Sequence, residues 1–144
     1  MDRSLKASAE IIINATAEEV WDALVNPEKI KVYLFGTETI TDWKVGSPII
    51  FQGVYDGYKY QDKGNVLENV PNQFLKYAYW AQYSGLEDKE ENYSHVSLSI
   101  KSLSPNQQQL SWLQEGFSKP EMQDHTQKGL PDILNSIKDL VEKT

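Results

Sequence analysis

Ile11, Ile12 and Ile13 form a β-branched run that passes through Asn14 and Ala15 straight into the helix start Thr16-Ala17-Glu18-Glu19-Val20-Trp21. Branched side chains favour an extended strand. Thr16 stands where its hydroxyl can accept from the backbone N–H of Glu19 while the Glu19 carboxylate reaches back, which is a capping box. Val20, Trp21, Leu24 and Val25 then recur at helical spacing until Asn26-Pro27, where proline cannot continue the ladder. Residues 7–14 are therefore predicted as a strand and the segment from Thr16 to Asn26 as a helix. A second short helix follows, with Pro27 in its first turn and Ile30, Val32, Tyr33 and Leu34 on its buried side before Phe35-Gly36 ends it.

After Gly36 the texture changes to short alternating runs separated by turn residues. Strands are predicted over residues 37–43, 49–55, 58–68, 74–83, 93–103 and 109–117, with turns at Gly46-Ser47-Pro48, Asp56-Gly57 and Ser104-Pro105-Asn106 and a polar loop over 84–92. Asp-Gly between two aromatic-rich runs is a strong hairpin signal. Residues 120–143 return to helical spacing, with Met122, Leu130, Ile133, Leu134, Ile137, Leu140 and Val141 along one stripe. Gly129 and Pro131 are expected to kink or split that helix. The order is strand, two helices, about six strands and one long helix, an α+β arrangement.

The bulk properties exclude several classes of function. A chain of 144 residues fits a single domain spanning 1–144, with about 70% of its unfolded surface buried. Its 14 basic residues are scattered among 21 acids for a net charge of −7, which argues against a nucleic-acid partner and against delivery to membranes. No apolar window of about 18 residues and no secretion signal stands in the sequence. With zero cysteines there are no disulfides, thiolate nucleophiles or Cys-ligated zinc. A cytoplasmic protein, monomer or homodimer, is the expectation.

The local signatures and their order resemble the heat-shock-protein-90 ATPase activator-like family, part of the SRPBCC or START-like superfamily. The pieces that carry the resemblance are Asn14-Ala15-Thr16 with Val20-Trp21, Trp43 with Val45-Gly46, Asp56-Gly57, and Gly64-Asn65-Val66-Leu67-Glu68 with Pro71 and Leu75. Tyr77, Trp80 and Gly116-Phe117 complete the set. The resemblance covers residues 9–141 and implies a helix-grip fold, in which a curved antiparallel sheet wraps the C-terminal helix and leaves a cavity between them.

Chemical motifs are sparse. The only histidines are His95 and His125; alternation with Val96, Leu98 and Ile100 points His95 outward, and His125 shares a helix face with Glu121. No metal site, cofactor or catalytic residue is expected, because no nucleophile elbow, phosphate loop or ligand cluster appears. Aromatic density in the strands is the stronger signal. Lys76 and Gln52 mark the outward parity of their strands, which sends Tyr77, Tyr79, Phe51 and Tyr55 inward. Together with Trp112, Phe117, Leu130 and Leu134 these residues are the expected ligand-binding set. Glu68, sharing its parity with Val66, is a candidate polar handle if that face looks into the cavity, the alternative being a salt-bridged surface carboxylate.

Buried phenols need partners or cost about 1–3 kcal/mol each, so several of them on one concave face suit an apolar pocket with polar handles better than a plain core. The expected function is a non-catalytic binding domain for an apolar or aromatic small molecule, in a cavity of at least about 300 Å³ between sheet and last helix. A polyketide cyclase- or hydrolase-like enzyme using Glu68 and Tyr77, and a co-chaperone-like interaction module, are the alternatives.

Overall fold

The computed structural model describes residues 1–143. Seven strands form one antiparallel sheet: β1 (Asp2–Ile13), β2 (Glu38–Ile40), β3 (Pro48–Tyr55), β4 (Tyr58–Val70), β5 (Phe74–Trp80), β6 (Ser94–Ser104) and β7 (Gln107–Phe117). Helices α1 (Ala17–Val25) and α2 (Pro27–Tyr33) follow β1, and α3 (Pro120–Glu142) ends the chain. The spatial order is β1-β7-β6-β5-β4-β3-β2, a meander closed at one edge by the first strand. This is the α+β architecture that the element order predicts.

Thr16 is the N-cap of α1, its hydroxyl accepting from Glu19 N at 3.2 Å while Thr16 N donates to Glu19 Oε1 at 3.1 Å. Asn26 ends α1 and caps α2, accepting from Glu28 N at 3.0 Å. The Asp56-Gly57 hairpin has both central residues at positive φ, 51° and 81°, the conformation that a two-residue turn between twisted strands demands. Its register places Tyr55 opposite Tyr58 and therefore Phe51 opposite Asp62.

Boundaries differ from the sequence reading where tertiary partners decide them. β1 begins at Asp2, because β7 extends to pair with it there, with a register shift between Asp2 and Lys6. β2 is only three residues long, and β5 stops at Trp80 because Gln82–Ser84 turns into a 3₁₀ helix. α3 runs unbroken through Pro131 rather than splitting there. Proline removes the N–H that would bond the Gln127 carbonyl, yet Leu130, Leu134, Ile137 and Val141 are all at most 2% exposed, so packing holds the helix together across the defect.

α3 lies along β1, the edge strand. Gln127 bonds both groups of one peptide residue, its Oε1 accepting from Ser8 N at 2.9 Å and its Nε2 donating to Ser8 O at 2.7 Å. Gln123 Nε2 donates to Lys6 O at 2.8 Å, Lys138 Nζ to Ile12 O at 2.8 Å, and Asn14 N to Glu142 Oε2 at 2.8 Å. Side chains thus replace the missing neighbour strand.

Gly64 marks a close approach in the sheet: a Cβ there would stand 2.3 Å from the Ala78 carbonyl oxygen. Gly64→Ala is expected to destabilise the protein by about 1–3 kcal/mol, the range for forced overpacking, read as a lower urea midpoint. An unchanged midpoint would show that β4 and β5 can move apart freely.

Candidate functional site

Inward positions of the strands form two bands on the concave face. The first is apolar and joins the expected residues directly. Phe51 lies 5.7 Å from Tyr77 and 5.6 Å from Tyr79 by ring centroids, the second pair edge-on at 77°. Trp112, Phe117, Leu130 and Leu134 belong to the same buried cluster, each at most 7% exposed.

The second band is a row of polar side chains crossing four strands. Tyr79 O–H donates to Asp62 Oδ2 at 2.6 Å, Ser94 Oγ to the Tyr79 carbonyl at 3.2 Å, and Gln114 Nε2 to Ser94 Oγ at 3.2 Å. Asp62 is only 5% exposed. Its other oxygen, Oδ1, accepts from Gln82 N at 2.9 Å, so the residue also anchors the turn that follows β5. Burial, and then the negative charge and hydrogen bond of Asp62, push the Tyr79 phenol well above its ordinary pKa. Tyr33 and Tyr77 are raised as well, chiefly by burial. Tyr33 O–H donates to Ala23 O at 2.9 Å.

Beside this row a groove of about 870 Å³ opens, lined in part by Gly53, Tyr60, Gln61 and Gln82. The Tyr60 ring lies across Gly53, where a Cβ would meet the phenol oxygen at 2.7 Å. Thr37 Oγ1 shares a hydrogen bond with that phenol. A second recess of about 510 Å³ sits between α2 and the outer side of α3, by Val32, Ser136 and Leu140. None of the aromatics expected to line a cavity borders either recess. Phe51, Tyr77, Trp112 and Phe117 are packed into the core instead, with Tyr79 against it.

Two expected site residues fall elsewhere. Tyr55 has the inward parity but is 78% exposed, because it lies at the hairpin tip past the reach of the core. Glu68 is exposed on the outer face. A register shift between Val66 and Glu68 breaks the alternation: Val66 pairs with Tyr77 but Glu68 pairs with Lys76, so Asn69 takes the inward position opposite Leu75. Asp62 is the buried carboxylate that sequence reasoning missed. The signal was in the Asp56-Gly57 turn, since a two-residue hairpin fixes the pairs behind it and puts Asp62 across from the inward Phe51. Trp112 carries another unforeseen feature: its indole Nε1 is buried with no hydrogen-bond partner among the described residues. Both histidines lie where expected, His95 half-buried on the outer face and His125 exposed on α3.

A family model described as activator of Hsp90 ATPase homolog 1-like protein matches residues 14–142. The solution structure of the Cytophaga hutchinsonii protein ChR145 is 34% identical, covers 99% of this chain and 97% of that one, and superposes with a TM-score of 0.82. The Aha1 dimer from Colwellia psychrerythraea is 17% identical with a TM-score of 0.74, covering 95% of this chain and 96% of that one. An Hsp90 activator from Plasmodium falciparum is 14% identical with a TM-score of 0.75, covering 96% of each. At these lower identities the likeness is one of fold. No curated protein matches the sequence. Among the described residues no helix is long and apolar enough to cross a membrane.

The raised phenols generate a pH dependence. Their folded pKa values lie above the ordinary 10 that they regain on unfolding, so the stabilisation is complete below about pH 10 and is lost as the pH climbs through the folded values. Urea midpoints are expected to hold to about pH 10 and then fall. Tyr79→Phe should cost about 1–3 kcal/mol near neutrality by leaving Asp62 short of a donor, and should make the alkaline decline shallower. Equal stability of the variant and the parent would contradict this account.

Proposed function

This chain belongs to the activator of Hsp90 ATPase homolog 1-like family, and from that premise we propose that it is a non-catalytic binding domain for a small molecule with an apolar or aromatic body. The ligand is held between the concave face of the sheet and α3. The observation that carries the reading is Trp112 Nε1, a donor buried among apolar side chains and without an acceptor among the described residues. Leaving such a group unpaired costs about 1–3 kcal/mol. A ligand that brings an acceptor to that point removes the penalty on binding. Phe51, Tyr77 and Leu134 supply the apolar surroundings.

An enzyme of the cyclase or hydrolase type is the weaker reading. General acid–base chemistry works best when the group's pKa lies near the working pH, whereas burial holds the Tyr77 proton tightly and Glu68 stands exposed on the outer face. A protein-interaction role draws support from the relatives named as an Hsp90 activator and as a dimer, and homodimerisation is compatible with either role.

Native mass spectrometry of the purified protein is expected to show a retained small molecule. Titration with naphthylmethanol, which offers one hydroxyl acceptor on an aromatic body, should be about tenfold weaker for Trp112→Phe than for the parent, or ~1.4 kcal/mol. On the variant's own urea midpoint two effects oppose each other, relief of the unpaired N–H and the packing lost with the smaller ring. If naphthylmethanol and other apolar probes leave tryptophan fluorescence untouched, the interaction-module reading replaces this one.

A further inference from the structure

Asp62 poses a problem that the described residues do not solve. A carboxylate 5% exposed carries its charge out of water, and buried charges are ordinarily paired with an opposite one. Here both partners are neutral, the Tyr79 phenol and the Gln82 amide. No lysine, arginine or histidine among the described residues forms an ion pair with it. Each carboxylate oxygen accepts one bond and keeps capacity for another.

Aromatic rings stand around this unpaired charge. Phe51 is its cross-strand partner on the same face, and Tyr79 is bonded to it. Tyr83 follows Gln82 in the turn that Asp62 anchors, and Tyr60 stands two residues before Asp62 on the same face of β4. Rings attract cations through their faces. A carboxylate set among aromatic rings is complementary to a protonated amine and repels a carboxylate or phosphate.

From these observations we infer that the site takes an organic cation, an ammonium group on an apolar or aromatic body, with the nitrogen at Asp62 and the body against the rings. The inference rests on the binding reading above and adds a second feature to that ligand: besides the acceptor that meets Trp112 Nε1, it carries a cationic end for Asp62. Lys31, Lys59 and Glu38 line the neighbouring groove that Tyr60 and Gln82 border. All three are exposed, so salt and water screen them, whereas the field of buried Asp62 is screened far less. The buried charge therefore sets the preference.

Three naphthalene probes of matched shape test this: naphthylmethylamine, naphthylmethanol and naphthylacetate, each titrated calorimetrically against the intact protein at neutral pH. The amine is expected to bind at least tenfold tighter than the alcohol, and the acetate most weakly. Asp62→Asn keeps an acceptor for Tyr79 and should abolish the amine's advantage while leaving the alcohol's affinity in place. The comparison of the three probes on the parent protein stands even if that variant folds poorly. Equal binding of amine and alcohol, or tighter binding of the acetate, overturns the inference and leaves the binding reading intact. If no probe binds, both fall.

Discussion

An edge strand presents a row of amides and carbonyls with no neighbour, and β1 is such a strand. The chain answers with side chains rather than another strand. Gln123, Gln127, Lys138 and Glu142 reach from α3 to the β1 backbone at Lys6, Ser8, Ile12 and Asn14. These bonds are spread along most of the helix, so they set its direction and height as well as protecting the edge. With α3 fixed lengthwise, Leu130, Leu134, Ile137 and Val141 turn into the trough of the sheet and close the core. The concave face acquires its walls from this one alignment.

What the sequence made legible follows from locality. The capping box at Thr16, the Asp56-Gly57 turn and the stripe on α3 each depend on residues a few positions apart, and each forms as read. The inward parities of Phe51, Tyr77, Tyr79 and Trp112 hold because alternation survives along their strands. Legibility fails where a partner strand intervenes. The register shift after Val66 sends Glu68 outward, and no pattern within β4 announces it. Tyr55 obeys its parity, yet the hairpin extends past the core that parity presupposes. The extent of β1 beyond residues 7–14 was set by β7, far away in sequence.

The consequence for the candidate site is an exchange of one carboxylate for another. Glu68, exposed, is an ordinary solvated charge. Asp62 is held by two neutral donors at the point where the apolar band meets the polar row. A group of this kind stiffens its surroundings, because Tyr79, the turn at Gln82 and β4 must all keep their places to satisfy it. Trp112 Nε1, deep in the apolar band, has the opposite character: nothing among the described residues fixes its direction by a hydrogen bond. The concave face thus combines a rigid polar end with an unsatisfied apolar interior.

The pairing of β1 with β7 bears on how the molecule comes to be made. Ile11 stands opposite Leu110, so nearly the whole chain lies between partners in one ladder. Closing so long a loop is slow, since the entropy is lost before the contacts form. During synthesis the first strand emerges with its three isoleucines exposed, its sheet neighbour near the end of the chain and its covering helix later still. Short hairpins such as β3–β4 can assemble on the ribosome, whereas β1 must wait for them all. Synthesis of β7 and α3, rather than any local step, gates the native sheet, and β1 waits longest of the strands for its protection.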